Sequence, residues 1–168
     1  MRSILRNFLT IDIERCTGCR LCELACSISH FKAFDPARSR IKILRFQAQG
    51  KDVPVVCRQC GECAAEEACP KGAFNRDPST GAMRVNPELC IACRLCIDRC
   101  IFGAVFLDPK DDSIAVCDLC GGKPLCVEFC LTEALRYVPS HRVGLKRSLE
   151  IAEGLASKVK PRAYVLPR

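Results

Sequence analysis

The sequence predicts an α+β fold of two small fused modules related by a pseudo-twofold repeat, with a helical or extended C-terminal tail. Three observations predict it. Sixteen cysteines in a chain of 168 residues fall into four sets of four, with none left over. The first set recurs nearly unchanged as the third. Between the sets lie short segments that alternate as strands do or repeat as helices do, and none is long.

The sets are Cys16, Cys19, Cys22 and Cys26; Cys57, Cys60, Cys63 and Cys69; Cys90, Cys93, Cys96 and Cys100; and Cys117, Cys120, Cys126 and Cys130. The first and third share the spacing C-x2-C-x2-C-x3-C, the run found in bacterial ferredoxins. Three thiolates at steps of three residues wrap three corners of an iron–sulfur cubane, with loop amides facing its sulfurs. The fourth cysteine, on the helix that follows, faces away and reaches a neighbouring cluster. The second and fourth sets have a wider gap before a later cysteine and remain three-plus-one sets. A structural zinc site calls for two separated C-x2-C pairs and leaves the third cysteine idle. A disulfide scaffold calls for an oxidising compartment. No secretory signal is visible in Met1–Asp12, so the expectation is a cytoplasmic chain whose thiols stay reduced until iron binds them.

Each element follows from its local pattern. Phe8–Ile13 (FLTIDI) alternates as a strand and leads into the first set. Glu23–Phe31 forms a short helix, and Ile41–Phe46 (IKILRF) a second strand. Ala73–Asn86 places Asp77-Pro78-Ser79-Thr80-Gly81 between two short strands, and Ala104–Val116 repeats that hairpin around Asp108-Pro109. CTGCRLCELAC at Cys16–Cys26 aligns with CIACRLCIDRC at Cys90–Cys100, which divides residues 1–138 into quasi-repeats 1–75 and 76–138. Cores this small rarely stabilise themselves, so bound clusters supply much of the folding free energy. Beyond residue 138 the cysteines stop. Residues 139–168 read as a basic docking tail, with an amphipathic helix over Val143–Lys160.

The charge of +7 counts every cysteine as neutral. Four thiolate-bound clusters at about −2 each take it to about −1. The basic excess therefore balances cluster charge and is no nucleic-acid footprint. With no tryptophan and two tyrosines, base-stacking platforms are missing too. No apolar run reaches membrane-spanning length. His30 and His141 are isolated and read as surface or packing residues. There is no Rossmann fingerprint or phosphate loop, so no catalytic constellation is expected. Gly121-Gly122 allows a tight turn in the fourth loop. Arg15, Arg20, Arg58, Arg94 and Arg99 lie beside ligands and either raise cluster potentials or only solvate the surface.

VCRQCGEC, CIACRLCIDRC and CDLCGGKPLCVEFC, in that order, resemble the four-cluster electron-transfer subunits of pterin-dependent oxidoreductases of the dimethyl sulfoxide reductase type. In length the chain is most similar to the small iron–sulfur subunit of bacterial tungsten aldehyde oxidoreductases. The resemblance covers residues 8–138. It implies four [4Fe–4S] clusters with exchanged ligands. One set is Cys16, Cys19, Cys22 and Cys130; a second is Cys117, Cys120, Cys126 and Cys26. The third is Cys57, Cys60, Cys63 and Cys100, and the fourth is Cys90, Cys93, Cys96 and Cys69. Only Cys69 keeps the proline that often follows a last ligand, as Pro70; Ser27, Ile101 and Leu131 stand at the other places.

The expected function is a non-catalytic subunit of a hetero-oligomer. It relays single electrons between a large tungsten- or molybdenum-pterin subunit, in the first instance an aldehyde oxidoreductase, and a flavin, nicotinamide-linked or ferredoxin partner. A free polyferredoxin shuttle is the alternative, as is the electron-transfer subunit of a benzoyl-CoA reductase or formate dehydrogenase. An iron–sulfur sensor would need a DNA-binding or signalling element, and none is found.

Overall fold

The computed structural model describes residues 6–144 together with Ser148 and Ala152. Apart from those two residues, the expected helix and docking tail beyond Gly144 lie outside the described residues.

The described chain is a series of four antiparallel two-stranded sheets and four short helices. Strand β1 (Asn7–Ile11) pairs with β8 (Leu135–Pro139), in register from Asn7 opposite Pro139 to Ile11 opposite Leu135. Strand β2 (Ile41–Phe46) pairs with β3 (Lys51–Val56). The hairpins β4–β5 (Phe74–Arg76, Met83–Val85) and β6–β7 (Val105–Leu107, Ile114–Val116) complete the sheets. Helix α1 (Leu21–Phe31) packs on α4 (Leu125–Glu128), and α2 (Ala64–Glu67) on α3 (Leu95–Arg99).

The expected strand over Phe8–Ile13 starts one residue earlier and stops at Ile11, because Ile13–Arg15 turns into a single 3₁₀ turn that leads to Cys16. Strand β3 contains Pro54, which is tolerated because a two-stranded sheet has edges where no amide is needed.

The two Asp-Pro hairpins are built alike. The Asp77 amide donates to Ala82 O at 2.8 Å, and the Asp108 amide to Ser113 O at 2.8 Å. Asp77 Oδ1 accepts from the amides of Ser79 and Thr80 at 2.9 and 3.0 Å, and Asp108 Oδ1 from that of Lys110 at 3.0 Å. These are the local carboxylate-to-amide bonds that make aspartate a turn former.

The apolar core is split in two. One part gathers Leu9, Ile41, Val56, Leu119 and Leu135 around Cys22, Cys26, Cys117 and Cys126. The other gathers Phe74, Met83, Val105, Ile114 and Val116 around Cys96, with Cys57, Cys63, Cys69, Cys90 and Cys100 against it. The cores are therefore nested. The ends of the described chain share one and the middle forms the other, while the division at residues 75 and 76 falls inside β4. Gln59 bridges the two. Its Nε2 donates to Cys117 O at 2.6 Å, and its Oε1 accepts from the Met83 amide at 2.7 Å.

Candidate metal centres

Every one of the sixteen cysteines is a free thiol. Each of the four loops makes the same backbone move. The residue just before the second cysteine has a left-handed φ: Gly18 at 66°, Gln59 at 54°, Ala92 at 52° and Leu119 at 56°. Three of these four residues carry a Cβ, and this region costs such residues energy unless the surroundings hold them there. The move turns an amide back toward the loop. The amides of Gly18, Gln59 and Leu119 donate to the sulfurs of Cys16, Cys57 and Cys117. Gly18 has a further reason to be glycine, since a Cβ there would stand 2.3 Å from the Asp52 carboxylate. Arg20 and Arg94, at matching places in the CRLC repeat, are also left-handed, at 62° and 66°, and start α1 and α3.

The last cysteine of each set receives a backbone amide of its own. Cys26 Sγ accepts from Arg40 N at 3.3 Å and Cys69 Sγ from Ala73 N at 3.3 Å. Cys100 Sγ accepts from Ala104 N at 3.4 Å and Cys130 Sγ from Leu135 N at 3.4 Å. Of these four, only Cys26 lies within a helix; the others follow α2, α3 and α4.

The loops converge in pairs. Cys16, Cys19, Cys22 and Cys130 line one small cavity, and Cys69, Cys90, Cys93 and Cys96 line another. Cys57 lies within electrostatic reach of Cys63, Cys100 and Cys60. Cys126 lies within reach of Cys120 and Cys26, and Cys117 within reach of Cys126 and Cys26. Each group thus joins three thiols of one loop to one from a distant segment. Cys22 also lies near Cys126, and Cys57 near Cys117, so those three groups adjoin, and Cys57 and Cys63 share the second core with Cys69, Cys90 and Cys96. Cys19 and Cys93 are the exposed cysteines, one in each end group.

Burial pushes the Cys22 thiol up to about 12, with Glu23 and neighbouring cysteines adding, and it pushes Cys57 and Cys96 up to about 11. Burial likewise raises Cys117 and Cys126 far above the ordinary thiol value. Buried thiols with amides directed at their sulfurs suit binding to a metal cation as thiolates. Iron supplies the charge that makes the thiolate form favourable, and its binding releases protons. The donor set fits iron–sulfur clusters: sulfur-only groups of four, amides directed at sulfur and apolar walls.

Glu23, His30, Arg40 and Asp118 were not singled out by motif. Glu23 is fully buried. Its Oε1 accepts from the Ile43 amide at 2.7 Å, and its Oε2 from Arg20 Nε at 2.7 Å, which clamps α1 to β2. As the sole charged residue between Leu21 and Ser29, Glu23 carried a sequence signal. His30 is a packing residue with partners on both sides. Nδ1 lies 2.9 Å from Cys26 O and Nε2 lies 3.0 Å from Asp118 Oδ1. Hydrogen bonds that the ring donates to Asp118 and Cys26 raise His30 to about 10. For Cys26, burial acts upward but the bonds from His30, Arg40 and Ser39 outweigh it, and the thiol falls below its ordinary value. His30, Asp118 and Cys120 offer donors within 4.8 Å of one another, but His30 and Asp118 are already bonded to each other.

Of the arginines beside ligands, Arg15 donates to Thr132 O at 2.8 Å, Arg20 to Glu23, and Arg94 pairs with Asp112 at 3.4 Å. Arg58 sits over the Phe102 ring, 5.9 Å from its centroid. Gly121 and Gly122 both take positive φ, at 66° and 97°, in the widened fourth loop.

Thiol loops of this kind, carried on short hairpins and helices, define an iron–sulfur protein of the ferredoxin-like class. The profile of the 4Fe–4S dicluster domain family matches residues 49–139, and the chain belongs to this family. It is 37% identical over 162 residues to the polyferredoxin-like subunit of an aliphatic sulfonate oxidoreductase of Pyrococcus furiosus, covering 92% of this chain and 93% of that one. It is 34% identical over 137 residues to the beta subunit of the NADH-dependent phenylglyoxylate dehydrogenase of Aromatoleum evansii, covering 80% of this chain and 31% of that one. Electron transport protein HydN of Escherichia coli is 30% identical over 164 residues, with 83% and 91% covered. Among solved structures, the BamBC complex of benzoyl coenzyme A reductase contains a chain 26% identical, with a TM-score of 0.48, covering 92% of this chain and 97% of that one. Among the described residues, no helix is long and apolar enough to cross a membrane.

Proposed function

We propose that the chain is an electron-transfer subunit that holds four [4Fe–4S] clusters and relays single electrons between a catalytic partner and a second redox partner. The observation that carries this reading is the convergence of three thiols from each loop with one from a distant segment, four times over. Cys16, Cys19, Cys22 and Cys130 would hold one cluster, and Cys117, Cys120, Cys126 and Cys26 the next. Cys57, Cys60, Cys63 and Cys100 would hold the third, and Cys90, Cys93, Cys96 and Cys69 the fourth. When bound, such clusters supply one-electron transfer with potentials set by charge, hydrogen bonds to sulfur and exposure.

The protein's own residues do the rest. Amides at three of the loops and at each distant cysteine stabilise thiolate charge. Apolar walls such as Leu9, Val56 and Leu135, and Phe74 and Met83, exclude water. Cys19 and Cys93, exposed at opposite ends of the row, mark where electrons enter and leave. The repeated left-handed step and the paired Asp-Pro hairpins support two related ferredoxin-like modules joined in one fold. The free thiols suit a reducing compartment such as the cytoplasm.

The subunit reading is supported by the Pyrococcus furiosus and Aromatoleum evansii relatives, both named as subunits of oxidoreductases. Within it, the catalytic partner carries a tungsten or molybdenum pterin and oxidises a small organic substrate, an aldehyde in the first instance. A flavin or nicotinamide-linked subunit takes the electrons on. The name electron transport protein, borne by HydN, favours a free shuttle as the second reading. Anaerobic native purification separates the two. A subunit comes down with a large chain and its tungsten or molybdenum, whereas a shuttle is monomeric and holds iron alone.

A further inference from the structure

We propose that His30, Arg40 and Asp118 form a positioning network that raises the reduction potential of the cluster held by Cys26, Cys117, Cys120 and Cys126. The inference rests on the ligand assignment proposed above.

The network joins the two segments that supply those ligands. From α1, His30 Nδ1 lies 2.9 Å from Cys26 O and 3.8 Å from Cys26 Sγ. Its Nε2 lies 3.0 Å from Asp118 Oδ1. A carbonyl and a carboxylate only accept, so both ring nitrogens carry hydrogen and the ring is a cation. Asp118 Oδ1 also accepts from the Cys120 amide at 3.0 Å, which holds the loop between Cys117 and Cys120. Arg40 acts twice: its amide donates to Cys26 Sγ at 3.3 Å, and its guanidinium to Asp118 Oδ2 at 2.7 Å.

Two cations thus face one carboxylate, leaving a net positive charge beside the sulfurs. The three side chains are mostly shielded from water, at 11%, 24% and 20% exposure for His30, Arg40 and Asp118, so solvent screens that charge weakly. Hydrogen bonds to sulfur and nearby positive charge both favour the more negative, reduced state.

The comparison within the molecule is direct. Cys69 and Cys100 each have an amide donor, at 3.3 and 3.4 Å, and among the described residues no charged side chain is bonded to either sulfur. Cys130 has an amide donor and, at 3.9 Å, the Thr132 hydroxyl. The neighbouring group of Cys16, Cys19, Cys22 and Cys130 has acids beside it: buried Glu23 acts on Cys22 and Asp52 on Cys16. Their arginine partners, Arg20 and Arg45, are exposed. One helix, α1, therefore sets the Cys26 group against an imidazolium and the Cys22 group against a buried carboxylate. Of these two adjoining groups, the one that includes Cys26 would have the higher potential, and an electron it gained from the other would leave that one oxidised by one.

The test is an anaerobic redox titration of the intact complex followed by electron paramagnetic resonance, with iron counted per chain. His30→Leu is expected to lower a single midpoint. At the wild-type midpoint the reduced-to-oxidised ratio falls about tenfold, which is about 59 mV for a one-electron couple. The signal affected is the one that Cys26→Ser displaces. His30→Gln, which keeps a neutral N–H donor, shifts the same midpoint less. A fully loaded His30→Leu protein with all midpoints unchanged overturns the inference, because a merely structural histidine moves stability and not potential. If His30→Leu fails to load iron, His30→Gln decides, and an unmoved midpoint overturns the inference there. Cys26→Ser that leaves every signal in place refutes the ligand assignment instead, independently of any His30 variant.

Discussion

Replacing Arg38 by alanine removes the partner of Asp108, the most deeply buried aspartate of the described chain. Arg38 Nε lies 2.7 and 2.8 Å from the two carboxylate oxygens, and its guanidinium lies over the Phe31 ring, 3.6 Å from the centroid. Asp108 is 2% exposed and Arg38 14%. Without the arginine the carboxylate keeps the Lys110 amide at 3.0 Å but has no buried counter-charge. Breaking a buried pair from one side costs about 3–5 kcal/mol, and the lost cation–π contact adds about 1 kcal/mol. The pair ties the turn at Pro36–Arg38 to the β6–β7 hairpin, so the loss falls on the junction between the two cores. The assay is thermal loss of cluster absorbance in anaerobically loaded protein. At about 2–4 °C per kcal/mol for a chain of this length, Arg38→Ala is expected to lower the midpoint by about 8–24 °C. Asp108→Asn, which keeps the shape and removes the stranded charge, should recover much of that loss in the Arg38→Ala background. A loss below about 1 kcal/mol in Arg38→Ala, or no recovery in the double variant, would refute the reasoning.

Gln59→Leu should cost about 2–6 kcal/mol, since it strands both Cys117 O and the Met83 amide in a buried seam, each at about 1–3 kcal/mol. Denaturant unfolding of the loaded protein measures this, and Gln59→Glu, which keeps one acceptor, should fall between. Glu23→Gln keeps the volume but exchanges a charge-assisted bond to Arg20 for a donor facing a donor, at a cost of about 1–3 kcal/mol. Hydrogen exchange at the Ile43 amide, whose acceptor oxygen Glu23→Gln keeps, should stay slow in that variant and quicken in Glu23→Ala.

Much of the architecture could be read locally. Cysteine spacing alone groups the ligand loops, because three thiols at steps of three residues bring their own geometry. The hairpins around Asp77 and Asp108 were legible because aspartate and proline act within their own turn. Strand Ile41–Phe46 carried its alternation openly. What escaped was set at a distance. Leu135–Pro139 becomes a strand because it pairs with Asn7–Ile11, at the opposite end of the described chain. Lys51–Val56 holds a proline that argues against a strand until its edge position is known. His30 looked isolated because its partner Asp118 lies 88 residues away. Gln59 carries no motif signal, and its bonds to Cys117 and Met83 exist only once the two cores meet. Nesting of the cores matches the pairing of first set with fourth and second with third that the family resemblance implies, and spacing within any one set does not show it.

Loss of spectroscopic signals in two single variants of the intact complex, Cys130→Ala and Cys19→Ala, tests the account most directly. These residues are more than a hundred positions apart, yet they line one cavity. Both variants should lose the same paramagnetic signal and keep the other three, with iron falling from about sixteen to about twelve per chain. Cys130→Ala abolishing instead the signal that Cys120→Ala abolishes, or wild-type protein holding zinc in place of iron, would contradict it.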